Sequence, residues 1–130
     1  MSLLVSFGKL DSGCIRITGS TQNDLQAIYR LATALVMPSL FESVSIPIYE
    51  AFQVGTPVAA SGILAIPEQV GDAGLLFDPT SVASIKETIL KIITDSEAAR
   101  RLGKRGRDRM LTMTPARYGA QLQGLLRELL

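Results

Sequence analysis

Two glutamates, Glu42 and Glu50, stand within the stretch Ala34 to Ser61, ALVMPSLFESVSIPIYEAFQVGTPVAAS. On one continuous helix their spacing would separate them by about 12 Å along the axis and roughly 80° around it. Carboxyl pairs that hydrolyse glycosidic bonds sit roughly 5 to 9.5 Å apart. The spacing therefore suits two grips on one long ligand better than an acid/base couple. Between them, around Val44 to Ile48, the chain reads as the start of a helix. The first N–H groups of a helix have no helical acceptors, and they point outward with the positive end of the helix dipole. Such a start receives an anion or the hydroxyls of a sugar.

The elements that must position these groups are legible around them. Ala34 to Met37 is an apolar run long enough for a buried strand, and Pro38-Ser39 stops it. Pro47 fits only the first turn of a helix, because it has no N–H and its ring would clash deeper in. The helix therefore begins near Ser45 to Pro47, and Gly55 ends it as a left-handed cap. Pro57 to Ser61 then forms a second buried strand, completing a parallel β-α-β unit. In open parallel sheets ligands bind beyond the carboxyl ends of the strands, which is where the Leu40 to Ser45 loop leaves the first strand.

This ordered set resembles the donor-binding motif of retaining glycosyltransferases with the GT-B fold, the large two-glutamate group. A proline-serine strand end, Glu, seven residues, Glu, and then EAFQVGTPVAAS carry the likeness, and AIPEQVGDAGLLFDP at Ala65 to Pro79 continues it, so about 45 residues are covered. The resemblance implies an α/β fold: a Rossmann-like parallel sheet with flanking helices, part of the C-terminal domain of a GT-B protein, with a helical C-terminal end. It implies that Glu42 contacts the transferred sugar, that the backbone amides of Val44, Ser45 and Ile46 approach sugar and diphosphate, and that Glu50 holds the ribose. Gly19, at the end of an earlier strand, would lie beside the nucleobase. The sequence departs from the pattern at two places. Val44-Ser45 replaces the usual Phe-Gly, and Leu64-Ala65 stands where a glycine pair commonly precedes Pro-Glu; both changes reshape the sugar pocket.

Composition narrows the chemistry. One domain is the natural count for 130 residues at 47% apolar composition. There is no histidine and one cysteine, Cys14. That removes histidine acid/base catalysis, histidine-dependent nucleophiles, nearly every zinc site and any internal disulfide. A metal-free transfer without a cofactor survives. No apolar run approaches the length of a membrane span, and no amino-terminal segment has the pattern of a signal peptide, so a cytoplasmic location is expected. The net charge of +1 hides a division: residues 1 to 99 hold 5 basic and 10 acidic side chains, and residues 100 to 130 hold 8 and 2. The block ARRLGKRGRDRM, including Arg100 to Arg109, reads as a solvated helix face. Its sharper reading is attraction to an anionic membrane surface, giving a peripheral position on the inner face. Nucleic acid is disfavoured because no aromatic residues interleave the charges.

Elsewhere, Met1 to Leu3 reads as a vector-derived remnant, and Leu4 to Leu10 as the tail of a helix. Cys14 to Thr18 alternates like a short strand. Asn23 or Asp24 is expected to cap a helix running to Leu31 or Thr33. Pro67 opens a short helix containing Glu68, a residue more suited to capping than to ligand contact. Leu75 to Phe77 is a third strand, so the three β-α repeats predict a parallel sheet with right-handed connections. Ser81 caps a helix over Val82 to Thr94 with an apolar stripe. A further helix runs from Ser96 to Met110, its interior Gly103 and Gly106 each costing about 1 kcal/mol. Thr114-Pro115 starts the last helix, whose stripe of Leu122, Leu125, Leu126, Leu129 and Leu130 is expected to pack on the chain's own sheet.

The expected function is the donor-binding part of a retaining glycosyltransferase that moves a hexose from a nucleoside diphosphate sugar to an acceptor, with Glu42 stabilising positive charge on the sugar. The residues 1–130 form a single partial domain on this reading, lacking the amino-terminal acceptor domain and therefore inactive alone. The alternatives are a noncatalytic sugar-nucleotide binding module and an epimerase or hydrolase acting on sugar nucleotides.

Overall fold

The computed structural model describes residues 3–5, 15–17 and 21–129, with backbone alone for the first two segments and Gln22. Cys14 and Gly19 lie outside the described residues. Two short strands, β1 (Leu3–Val5) and β2 (Ile15–Ile17), pair antiparallel with Leu4 opposite Arg16. This corrects one expectation: Leu4 and Val5 belong to a strand and not to a helix tail, and residues 6–10 lie outside the described residues. An apolar run this short has no period that could separate strand from helix.

Helix α1 (Gln22–Leu31) starts at Thr21, earlier than the expected Asn23 or Asp24. Thr21 and Asp24 form a reciprocal capping box: the Asp24 N–H donates to Thr21 Oγ1 at 3.3 Å, and the Thr21 N–H donates to Asp24 Oδ2 at 2.9 Å. The Thr21 hydroxyl donates to the same carboxylate oxygen, and these bonds hold the Asp24 pKa below the usual carboxylate range.

The sheet that matters is β3 (Leu35–Met37), β4 (Val58–Ser61) and β5 (Gly74–Phe77), in that order and all parallel, as the three β-α repeats require. Helices α2 (Ile46–Val54) and α3 (Ile66–Val70) make the two crossovers, and α4 (Val82–Thr94), α5 (Ser96–Thr112) and α6 (Pro115–Leu129) follow. Alternation along the strands divides the core. Leu35, Met37, Val58 and Ala60 face Ile48, Phe52, Ile66 and Val70, whereas Val36, Ala59, Leu75 and Phe77 face Ile85, Ile92 and Leu102. All four residues of β4 are buried, as expected for a central strand covered on both faces.

Helix α5 lies against α2, and its two glycines are the reason it can. A Cβ on Gly103 would overlap the carbonyl oxygen of Gly55, and one on Gly106 would meet the buried ring of Phe52. The glycines expected to weaken this helix are thus the points where it approaches its neighbour. The basic block on α5 is largely engaged within the fold. Arg105 donates to the Asp72 carbonyl at 3.2 Å, Arg107 to the Val54 carbonyl at 3.5 Å, and Arg109 Nε to the Gln69 carbonyl at 2.9 Å. These are carbonyls at or just after the ends of α2 and α3, where unpaired acceptors and the negative end of the dipole favour a cation. Lys104 pairs with Asp108, and Arg100 and Arg101 share Glu97.

The expectation for α6 is corrected. None of its residues is buried, and Leu122, Leu125, Leu126 and Leu129 all remain exposed, so this stripe does not pack on the sheet; Leu130 lies outside the described residues. An amphipathic pattern fixes which face is apolar and leaves its partner unspecified. No helix among the described residues is long and apolar enough to cross a membrane.

Candidate functional site

The carboxyl ends of β3 and β4 lie side by side, tied by the Ser61 hydroxyl, which donates to the Met37 carbonyl at 3.1 Å. Two loops leave this edge. The loop after β3 carries Glu42 and enters α2, and the loop after β4 carries Leu64 and enters α3. Leu64 has φ of 47°, in the left-handed region where a side chain clashes with the following carbonyl. The backbone shape that a glycine would adopt freely is therefore kept at the position where the sequence departs from the glycine pair, at a cost of roughly 1–2 kcal/mol. Its side chain is exposed, as are those of Leu40, Phe41, Val44 and Ile46 around the same edge, each more than half accessible.

Glu42 is half-buried in its loop, and the Ser39 hydroxyl donates to its Oε2 at 2.9 Å. Glu50 is the fifth residue of α2, in its second turn and not its first, about 6 Å along the axis from Ile46. A first-turn helix-dipole role therefore does not account for it. Its Oε2 accepts from the Tyr29 hydroxyl at 3.0 Å. Tyr29 is almost fully buried, and its main-chain carbonyl accepts from the Thr56 hydroxyl at 2.6 Å, so the residue is held through both its backbone and its hydroxyl. Burial first, then the hydrogen bond to Glu50 and the negative charge beside it, push the Tyr29 pKa well above its ordinary value. Neither glutamate forms an ion pair among the described residues. Two oriented carboxylates without cations are acceptors suited to ligand hydroxyls.

Helix α2 begins as the sequence predicts, with Ser45 as N-cap, Pro47 in the first turn and Gly55 at φ 81° closing it. The amides at its start are not equivalent. The Ser45 N–H donates to Gln69 Oε1 at 2.9 Å, and Gln69 Nε2 donates to the Ser45 carbonyl at 2.6 Å. The Ser45 amide is thus occupied by protein, which corrects the expectation that it is free for a ligand. The Ser45 side chain makes no capping bond, and its Oγ is buried without a partner among the described residues. Glu68 is exposed in the first turn of α3. Sequence reasoning passed over Gln69, Tyr29 and Ser39; the first two act through partners that only the fold brings near. Ser39, three residues before Glu42, was the one with a local signal.

The family model of "Glycosyl transferases group 1" matches residues 10–109. The chain belongs to this family. Among its relatives in the group 1 glycosyl transferases, the O-antigen chain mannosyltransferase B of Escherichia coli is 42% identical over 84 residues, 64% of this chain and 22% of that protein. The MMP alpha-(1->4)-mannosyltransferase of Mycolicibacterium hassiacum is 35% identical over 95 residues, 71% of this chain and 23% of that protein. The sucrose-phosphate synthase structure from Thermosynechococcus elongatus superposes with a TM-score of 0.70 at 31% identity, covering 86% of this chain and 29% of that one. The α/β arrangement expected from the resemblance is therefore that of a GT-B glycosyltransferase. The chain spans about a quarter of the length of these relatives.

Proposed function

We propose that this chain is the donor-binding part of a retaining, metal-independent glycosyltransferase that moves a hexose from a nucleoside diphosphate sugar to an acceptor. One observation carries the reading. Two carboxylates with no ion pair among the described residues, each accepting from one hydroxyl, stand just before the start of α2 and in its second turn, after the carboxyl end of a parallel strand. Glu42 binds the transferred sugar and stabilises positive charge as its bond to the diphosphate breaks. The electron pair leaves on a phosphate oxygen, and the amides of Val44 and Ile46, with the dipole of α2, stabilise that charge without reorganising. Glu50 accepts from the ribose hydroxyls, and Gly19 contributes backbone beside the base. The names of the relatives make mannose the first sugar to try. The residues 1–130 by themselves are expected to bind donor without transferring it. Of the basic block, Arg105, Arg107 and Arg109 are engaged on carbonyls, so attraction to an anionic membrane surface would rest on Arg100 and Arg101, which share the single carboxylate of Glu97 and keep a net positive charge.

Calorimetry with GDP-mannose, UDP-glucose, GDP and UDP tests the reading. A hydrogen bond to a charged group contributes about 1.5–3 kcal/mol, so Glu50→Ala should weaken nucleotide and nucleotide sugar alike by tenfold or more. Glu42→Ala should weaken the nucleotide sugar and leave the free nucleotide unchanged. Wild-type affinity in both variants would reject the assignment.

A further inference from the structure

Gln69 is nearly fully buried in α3, and its carboxamide matches the Ser45 residue atom for atom: Oε1 takes the N–H and Nε2 supplies the carbonyl. Neither a carboxylate nor an apolar side chain can do both, because the first cannot donate and the second cannot do either. The backbone of Gln69 is itself fixed, with its N–H on the Ala65 carbonyl at 3.0 Å and its carbonyl held by Arg109 of α5. A side chain anchored through α3 and α5 thus reaches the residue that starts α2. Ser45 needs such an external hold, because its own hydroxyl makes no cap.

The consequence for the ligand edge follows from peptide geometry. The peptide between Ser45 and Ile46 is trans, as no cis bond occurs among the described residues, so its carbonyl and its N–H point in opposite directions. That carbonyl points at Gln69. The Ile46 N–H therefore points away from the Gln69 carboxamide, and Ile46 itself is exposed. We propose that Gln69 is a positioning residue for phosphate binding. By holding both polar groups of Ser45 inward, it turns the Ile46 N–H outward toward the diphosphate of the donor, an inference that rests on the donor-site reading above. Without it, the Ser45–Ile46 peptide can rotate to satisfy its carbonyl with water, and the first amide of the helix loses its aim.

The test uses ¹⁵N-labelled chain and the probes GDP, UDP and the matching nucleosides without phosphate. In the wild type, adding the diphosphate should shift the Ile46 amide resonance and slow its hydrogen exchange, and leave the Ser45 amide unchanged. Gln69→Met keeps the volume and removes both bonds. It should lower diphosphate affinity about tenfold while nucleoside affinity stays the same. Leu102→Ala, in the core on the other face of the sheet, serves as a destabilised control that should bind like wild type. Failure of the wild type to bind any of these nucleotides overturns the donor-site reading and this inference with it. Binding by the wild type overturns the inference alone if Gln69→Met binds equally well, if it loses nucleoside and diphosphate affinity together, or if the Ser45 amide responds as strongly as that of Ile46. If Gln69→Met does not fold, a wild-type Ile46 amide that the diphosphate leaves unmoved still overturns the inference.

Discussion

Replacing Gly103 by alanine sets two effects of known sign against each other. Alanine in a helix interior is favoured over glycine by about 1 kcal/mol, so α5 by itself should gain. The added methyl, however, would overlap the carbonyl oxygen of Gly55, the left-handed cap of α2. A backbone atom cannot turn aside as a side chain can, and Gly55 is pinned by its N–H on the carbonyls of Ala51 and Phe52. The helices must separate instead, opening the packing around Phe52, which is fully buried. Overpacking of this kind costs about 1–3 kcal/mol, and the backbone obstacle puts Gly103→Ala at the upper end, for a net loss of about 2 kcal/mol. Gly119 and Gly124 in α6 are the internal comparison, since a methyl there meets nothing within 4 Å. The same substitution at those positions should add helix content, read as far-UV ellipticity. Urea unfolding of Gly103→Ala should show a lower midpoint at unchanged slope. A midpoint equal to or above that of the wild type would refute the close-approach argument.

Two other substitutions have signs that depend on the site. Ser45→Ala removes an N-cap serine, a change that ordinarily costs about 1 kcal/mol; here the hydroxyl caps nothing and is buried without a partner among the described residues, so stability should hold or rise by up to about 1 kcal/mol in urea titration. A clear loss would show that the hydroxyl does have a partner. Tyr29→Phe should cost about 1.5 kcal/mol at pH 8, the lower end for a hydrogen bond to a charged group, because the bond to Glu50 is only partly buried. Because the folded state raises the Tyr29 pKa, the folded protein keeps the proton that the unfolded chain releases near pH 10. That share of stability is complete below pH 10 and is lost as pH rises above it. The gap between wild type and Tyr29→Phe in unfolding midpoint should therefore narrow at pH 10.5–11, and a constant gap would contradict the linkage.

What the sequence determined by itself was everything ruled by near neighbours. Pro47 and Gly55 bounded α2 because one lacks an N–H and the other tolerates positive φ, whatever the rest of the chain does. Ser81 capped α4 where expected, and three β-α repeats set a parallel sheet. The place of Glu42 in the loop before α2 and of Glu50 on that helix followed from the same rules. Even a local rule was misapplied at Thr21, where an aspartate and not a glutamate completes the capping box. Only the tertiary structure decided what reaches across the chain. Gln69 on Ser45, Tyr29 on Glu50, the arginines of α5 on carbonyls of α2 and α3, and Gly103 against Gly55 join residues far apart in sequence. Composition marks such residues as polar, basic or small and assigns them no partner. A hydrogen bond or a close approach depends on where two elements dock, and docking is a property of the whole core that no short window of sequence contains.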